Sequence, residues 1–307
     1  MILLWGLSGD SPLDNVAAEL ARLRVSTLFL DQHEFSGWSI DLSVGKEISG
    51  WLSNAEKKTR IADISAAYIR PYDARQLPAL EDLPPDSPAF AHFANLSDAL
   101  LGWTEMTPAR VVNRPSSMAA NGSKPFQSLQ IQAGGFSIPD TLITTDPVAA
   151  LAFWEKHGEV IYKSVSSVRS IISRLTPAHR ERLNDVRWCP TQFQQFVPGD
   201  DYRVHVVGKK LFPCRVLSGA DDYRYSNRSG HSTEIKRATL PDEISARCLH
   251  LAESLQLPVA GIDLRRTPSG EWFCFEVNPS PGFTFYQEAT TQPIAKAIAL
   301  FLAGKAS

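Results

Sequence analysis

Near its C-terminus the 307-residue chain reads WFCFEVNPSPGF, residues 272 to 283. An apolar strand ends there with Glu276 and Asn278 two residues apart. Side chains alternate across a strand, so the carboxylate and the amide share one face while Val277 points to the other. Pro279 and Pro281 end the ladder by removing backbone donors, and Gly282 lets the chain turn or approach a ligand closely. Upstream, GIDL carries Asp263, and the intervening TPSGE is turn-forming. Asp263 and Glu276 are equidistant from the Ser269–Gly270 boundary, so a hairpin folded there sets them directly opposite each other on one face. Three oxygen-bearing side chains, Asp263, Glu276 and Asn278, then converge. A set without nitrogen or sulfur favours Mg²⁺ or Mn²⁺, and Mg²⁺ commonly completes its octahedron with phosphates and water.

Other positions carry chemistry less distinctly. Lys163 ends the apolar run VIYK, Gln194 and Gln195 lie in TQFQQFV, and Asp200 and Asp201 precede Arg203. The polar stretch DDYRYSNRSGH holds Arg224, Arg228 and His231. Taken singly, a lysine after a strand is a solvated end, a Glu and Asn before a turn are polar surface, and His231 is a loop residue. The loop GLSGD lacks the G-x-G-x-x-G spacing of a phosphate cradle and is read as a βα turn. No Ser-His-Asp or Cys-His arrangement offers a protein nucleophile.

These residues need elements to hold them. ILLWGL reads as a strand. Ser11 as N-cap and Pro12 at N1 open a helix with its stripe at Leu13, Val16, Ala17, Leu20 and Leu23, and VSTLFL and AAYIRP follow as strands of a βαβ beginning. Prolines at 71, 78, 84, 85 and 88 precede a helix marked by Phe90, Phe93, Leu96, Leu100 and Trp103. The first domain ends near VVNRP. A second unit has a helix around SKPFQSLQIQAGG, the extended FSIPDTLIT, a helix from Pro147 to His157 and the strand EVIYKS. From about residue 189 the pattern is mainly β: TQFQQFV, YRVHVVG and KLFPCRV. A helix at 241–256, the strands VAGIDL and WFCFEV and a closing helix PIAKAIALFLA complete it. The pattern predicts three α/β lobes in series, 1–112, 113–188 and 189–307.

Composition frames the reading. A chain of this length buries a substantial core divided among two or three domains. Its 31 basic and 33 acidic residues give a net charge of −2, so no summed field recruits nucleic acid or an anionic membrane. Cys189, Cys214, Cys248 and Cys274 are widely spaced with no C-x-x-C pair, which reads as reduced, buried thiols of a cytoplasmic protein. The N-terminus lacks a charged leader and a cleavage site, and no run approaches the roughly 18 apolar residues of a membrane span.

From about Asn113 onward the chain resembles the ATP-grasp superfamily, in particular the branch of the ribosomal-protein glutamate ligase, glutathione synthetase and the peptide-modifying ligases. GIDL, then FEVNPSPGF, then IAKAIALFL looks like that family's metal-binding core and last helix. The resemblance implies an α/β (α+β) fold with a Rossmann-like N-terminal pre-ATP-grasp domain and nucleotide held between two α+β lobes, the central one a lid. It implies that Asp263, Glu276 and Asn278 hold two Mg²⁺ on the ATP phosphates and that Lys124 and Lys163 contact ATP. In this reading Gln194, Gln195, Phe196 and Val197 form the hinge whose backbone reads adenine, Asp201 lies near the ribose, and Arg224, with Arg203, Arg215 and Arg228 as rivals for the role, neutralises the transferred phosphate. The expected reaction is ATP-dependent joining of a small-molecule or peptide carboxylate to an amine, or to a hydroxyl, through an acyl phosphate. A homodimer or homotetramer belongs to the same expectation.

One feature departs from the family. After Lys163 its members have a glycine-rich loop, whereas this chain reads SVSSVRSIISRL, leaving Ser164, Ser166, Ser167 and Arg169 to grip phosphate. Two rival readings stay open, a small-molecule kinase and a non-catalytic ATP-binding module. The polar segment 219–237, with Arg224, Arg228, His231, Lys236 and Arg237, suits an acidic peptide acceptor if it faces the site.

Overall fold

The run ILLWG has no polar position to offer to solvent, and it forms a strand, β1 (Ile2–Gly6), buried along its whole length. The computed structural model describes residues 1–73, 77–84, 86–164, 172–218 and 233–305. α1 (Ser11–Arg22) follows, burying Leu13, Val16 and Leu20. Its N-cap is Asp10, not Ser11: Asp10 keeps an extended backbone while Ser11 already lies in the helix. β2 (Thr27–Asp31) pairs in parallel with β1. A small antiparallel sheet comes next, β3 (Ser39–Val44), β4 (Ile48–Ser53) and β5 (Lys58–Arg60). β6 (Ala66–Ile69) returns beside β1; α2 (Pro78–Glu81) and α3 (Pro88–Met106) lead to β7 (Arg110–Val112), which pairs with β6. The parallel order is β2-β1-β6-β7. Helix α3 buries Phe93, Leu96, Leu100 and Trp103 against one face of that sheet, with Leu3, Trp5 and Phe35.

Beyond α4 (Pro115–Met118) and α5 (Lys124–Ala133) a second sheet assembles from β8 (Thr141–Thr144), β9 (Val160–Ser164), β10 (Ser173–Arg174) and β11 (Thr191–Gln195). Its order is β10-β9-β11-β8, all antiparallel, and α6 (Pro147–His157) packs against it through Ala150. The largest sheet has the order β14-β13-β12-β15-β16. It consists of β12 (Asp200–Val207), β13 (Lys210–Ser218), β14 (Thr233–Arg237), β15 (Val259–Arg266) and β16 (Trp272–Asn278). α7 (Asp242–Ser254) lies between β14 and β15 in sequence; α8 (Thr284–Thr290) and α9 (Ile294–Leu302) follow β16.

Two packing relationships position the site. α7 covers one face of the large sheet, where Val204, Val206, Ile262, Leu264, Cys274 and Val277 are buried, so polar residues of the same strands stand on the other face. α9 inserts Ile294, Ile298 and Leu302, each at most 1% exposed, among Ile2, Leu4 and Ala66 of the parallel sheet and Val207, Phe212 and Val259 of the large one. Each such side chain is worth about 1.5–3 kcal/mol of burial, so the last helix ties the first and last units together. Along the β16 edge, the buried Gln127 amide of α5 accepts from Val277 N–H (3.1 Å) and donates to Val277 C=O (2.8 Å), taking the place of a further strand. Among the described residues no helix is long and apolar enough to cross a membrane.

Candidate active site

The hairpin of β15 and β16 closes around Ser269, with Arg266 across from Trp272 and Leu264 across from Cys274, a register that differs by one residue from symmetry about the Ser269–Gly270 boundary. A bulge between Asp263 and Leu264 then restores the expected pairing at the site, leaving Phe275 without a partner of its own there. Asp263 lies directly across from Glu276, and Gly261 across from Asn278. Arg203 of β12 is the cross-strand partner of Asp263 on its other side, and its Nη1 donates to Asp263 Oδ1 at 2.7 Å. One row thus crosses three strands as cation, carboxylate, carboxylate. The row is extended by Lys124 at the start of α5, whose Nζ is bonded to Glu276 Oε1 and, at 3.3 Å, to Asn121 Oδ1. Gly261 is there because nothing larger fits: a Cβ would come within 2.2 Å of the Arg203 guanidinium and 2.8 Å of Pro281.

A second ion pair lies two residues along on the same face. Asp201 and Arg265 are cross-strand partners bonded twice, Nε–Oδ1 at 2.7 Å and Nη2–Oδ2 at 3.0 Å. Arg265 also donates to the Val197 carbonyl at 2.8 Å, which fixes the strand crossing from β11 to β12. Phe196 in that crossing lies under the Arg174 guanidinium, 3.8 Å from its ring centroid, with Arg265 at 5.8 Å. Its N–H donates to Glu159 C=O, and Gln195 N–H to Asp140 C=O. Gln194 is buried and donates to Thr141 Oγ1 at 3.0 Å. Lys163 pairs across from Gln192, and Ile161 from Gln194, so Lys163 and Gln194 share one face of the β8–β11 sheet.

Below the row, His205 is 1% exposed and stacks edge-on against Tyr286 of α8, ring centroids 5.0 Å apart. Burial first, and the neighbouring Arg203 charge second, hold its imidazole well below the usual histidine range. Cys214, across from Arg203 on β13, is pushed up to about 12 by burial and is inert as a thiol. Cys248 and Cys274 are buried as expected, whereas Cys189, next after a polar 3-10 segment, is exposed.

The structure therefore brings Asp263, Glu276, Asn278, Arg203 and Lys124 together, and places Asp201, Gln194, Gln195, Phe196 and Val197 along the crossing and Lys163 on the β9 end. Arg224, Arg228, His231, Ser166, Ser167 and Arg169, and the Ser164 side chain, lie outside the described residues. Sequence reasoning missed Arg265, Arg174 and Phe275. A signal existed for Arg265, which stands two residues after Asp263 and hence on the same face.

The donor set fits a hard divalent cation. Asp263, Glu276 and Asn278 offer only oxygen from a side chain, and the two carboxylates keep 22% and 25% of their side-chain surface exposed. Asn278, two residues beyond Glu276 on the same face, offers a third oxygen beside the two carboxylates.

The pattern of the RimK-like ATP-grasp domain matches residues 123–302. The chain belongs to the RimK-like ATP-grasp family. Its fold is the ATP-grasp fold, α+β, and ATP with Mg²⁺ is the cofactor pair of that family. A probable alpha-L-glutamate ligase of Mannheimia succiniciproducens is 24% identical over 213 residues, 63% of this chain and 67% of that protein. A second, of Pseudoalteromonas atlantica, is 32% identical over 110 residues, 36% of this chain and 35% of that one, so the match spans about a third of its length. Among solved structures, macrocyclase MdnC bound with precursor peptide MdnA, from Microcystis aeruginosa, superposes with a TM-score of 0.82 at 22% identity over 99% of both chains. The RiPP-associated ATP-grasp ligase of Chryseobacterium gregarium, in complex with ADP and a leader and core peptide, gives 0.83 at 22% over 100% of this chain and 97% of that one. The likeness in fold to these two solved structures extends through the N-terminal unit, which the matched pattern does not cover.

Proposed function

We propose that the protein is an ATP-dependent ligase that activates a carboxylate of a peptide as an acyl phosphate and joins it to an amine. The observation that carries this reading is the row Arg203–Asp263–Glu276–Lys124 with Asn278 beside it: two carboxylates and an amide for metal, flanked by two cations for phosphate. The peptide is supported by the MdnC structure, which contains a precursor peptide, and the Chryseobacterium structure, which contains a leader and core peptide. The homodimer or homotetramer, the cytoplasmic setting and the division at 112/113 and 188/189 belong to the same reading.

In this mechanism Asp263, Glu276 and Asn278 would hold Mg²⁺, two ions in our reading, which would supply neutralisation of charge on the ATP phosphates. Lys124 would turn from Glu276 to a phosphate oxygen, with Lys163 offering a second cation from the β9 end. The Gln195–Val197 backbone takes the adenine; Arg265 stiffens that segment through the Val197 carbonyl and holds Asp201 for the ribose. A substrate carboxylate oxygen attacks the γ-phosphorus and ADP leaves; the amine then attacks the acyl carbon, inorganic phosphate leaves and the amine loses a proton. Arg203, with Arg224, offsets the charge of the acyl phosphate. Positioning and charge neutralisation supply the rate, so no protein nucleophile is needed.

Incubation of candidate glutamate- or aspartate-bearing peptides with protein and ATP, followed by mass spectrometry, tests the reading. Loss of one water or addition of an amino acid is expected, with ADP formed in equal amount. A stable phosphorylated product would identify a kinase, and ATP binding without ADP release a binding module.

A further inference from the structure

Three successive residues follow Asn278, and side chains from the N-terminal part of the chain hold all three. Asn113, next after β7 and 2% exposed, donates through Nδ2 to the Pro279 carbonyl at 2.5 Å and the Val259 carbonyl at 2.6 Å, and its Oδ1 accepts from Val259 N–H at 3.2 Å. Arg70, just past β6, donates through Nη1 to Ser280 Oγ at 2.9 Å and to the Pro281 carbonyl at 3.3 Å. The other edge of its guanidinium is bonded to Asp10, Nε–Oδ2 at 2.5 Å and Nη2–Oδ1 at 3.5 Å. With side chains only 12% and 8% exposed, Arg70 and Asp10 are confined to this geometry. Between the gripped residues, Ser280 N–H donates to Oδ1 of Asn278 at 2.9 Å. A line of contacts therefore runs Asp10–Arg70–Ser280–Asn278, from the carboxyl ends of β1 and β6 into the oxygen site.

We propose that Arg70 is a positioning residue for that site: by gripping Ser280 and Pro281 it fixes the peptide N–H that orients the Asn278 amide toward a divalent cation beside Asp263 and Glu276. The proposal rests on the ligase reading and deepens it. Groups that orient metal ligands commonly matter about 10–100-fold in metal affinity. Arginine suits the place because its planar fork meets Asp10 on one edge and two oxygens of the loop on the other, which a lysine ammonium cannot span.

The test uses the full chain with ADP and Mn²⁺ as probes, measuring ADP binding by calorimetry at rising Mn²⁺ and the bound ion by electron paramagnetic resonance. Arg70→Lys keeps a cation against Asp10 but releases the loop, and Ser280→Ala removes only the hydroxyl. The half-saturating Mn²⁺ should rise about 10–100-fold in Arg70→Lys and about two- to tenfold in Ser280→Ala, with an altered Mn²⁺ spectrum and unchanged ADP affinity in the absence of metal. Thr284→Ala, which breaks the nearby Ser11–Thr284 hydroxyl contact of 3.0 Å at the same junction, should leave the Mn²⁺ dependence as it is. Should Arg70→Lys not fold, Ser280→Ala decides. Unchanged Mn²⁺ dependence in the folded variants, or an equal shift in Thr284→Ala, overturns the role of Arg70 alone. Absence of any Mn²⁺-dependent ADP binding in the unaltered protein overturns the ligase reading and this proposal with it.

Discussion

Asp263 and Glu276 stand directly opposite each other on β15 and β16, and each is bonded to a different cation, Arg203 on the sheet and Lys124 on α5. The pairing explains how two carboxylates tolerate adjacency in a half-buried cleft: each has a neutralising partner on its outer side, and like charges directly across a ladder would otherwise repel. In the proposed mechanism it also makes the row a unit, because the two cations would turn to phosphate as metal took the carboxylates.

Glu276→Gln tests the unit at its centre. The amide keeps the volume and the strand geometry but removes one anionic oxygen and the partner of Lys124. The circular dichroism spectrum should match that of the unaltered protein, while ATP-dependent ADP release with a competent substrate falls at least about 100-fold, beyond the 10–100-fold typical of an orienting group. Near-native turnover would remove Glu276 from the site.

Much of this was legible in the sequence because the relevant relations are local. The turn TPSGE brings β16 back beside β15 and period-2 alternation puts Glu276 and Asn278 on one face, whereas the bulge between Asp263 and Leu264, which supplies the one-residue shift that sets Asp263 opposite Glu276, left no signal in the turn. The Arg203–Asp263 contact was not legible: it depends on the pairing of β12 with β15, about 60 residues apart, and no turn sets that register. Arg70 and Asn113 were hidden for the same reason, their partners lying 210 and 166 residues away. The sheet of β3, β4 and β5 was missed although Ile40, Leu42 and Val44 alternate cleanly; Leu52 is its one hydrophobic side chain fully in the core, with Ile40, Leu42 and Ile48 only partly buried against it, so the apolar signal is thin.

Lys163→Ala probes the far side of the cleft. A lysine that screens phosphate charge contributes through a charge-assisted contact worth about 1.5–3 kcal/mol, so the ATP concentration for half-maximal turnover should rise about 10–100-fold. Titration of ADP and ATP would separate this from a folding defect. An unchanged nucleotide affinity would make VIYK merely the end of a strand.

Arg265→Lys addresses the crossing between the two sheets. Lysine retains the charge beside Asp201 but cannot hold both carboxylate oxygens and the Val197 carbonyl together. Nucleotide affinity should weaken about tenfold, equivalent to about 1.4 kcal/mol, with a smaller change in the metal dependence because the bonds of Arg265 run to Asp201 and the Val197 carbonyl, one pair along from Arg203–Asp263. A shift in metal dependence with intact ADP affinity would count against assigning Arg265 to the adenine and ribose side.

His205 gives a pH prediction with a definite sign. In the folded protein burial and the Arg203 charge hold its imidazole well below the usual value, whereas in the unfolded chain it titrates near the ordinary ~6.5. Below that value the unfolded chain binds a proton that the folded one refuses, so stability is full above it and falls as pH drops toward the folded value. The loss amounts to about 1.4 kcal/mol for each pH unit within that window. Thermal unfolding measured at intervals from pH 7.5 to pH 5 should show a decline in Tm that is shallower in His205→Phe, which keeps an aromatic ring against Tyr286 and removes the titrating group. Parallel declines in the two proteins would mean that the carboxylates alone set the acid sensitivity, and that His205 accepts its proton in the folded state as readily as in the unfolded one.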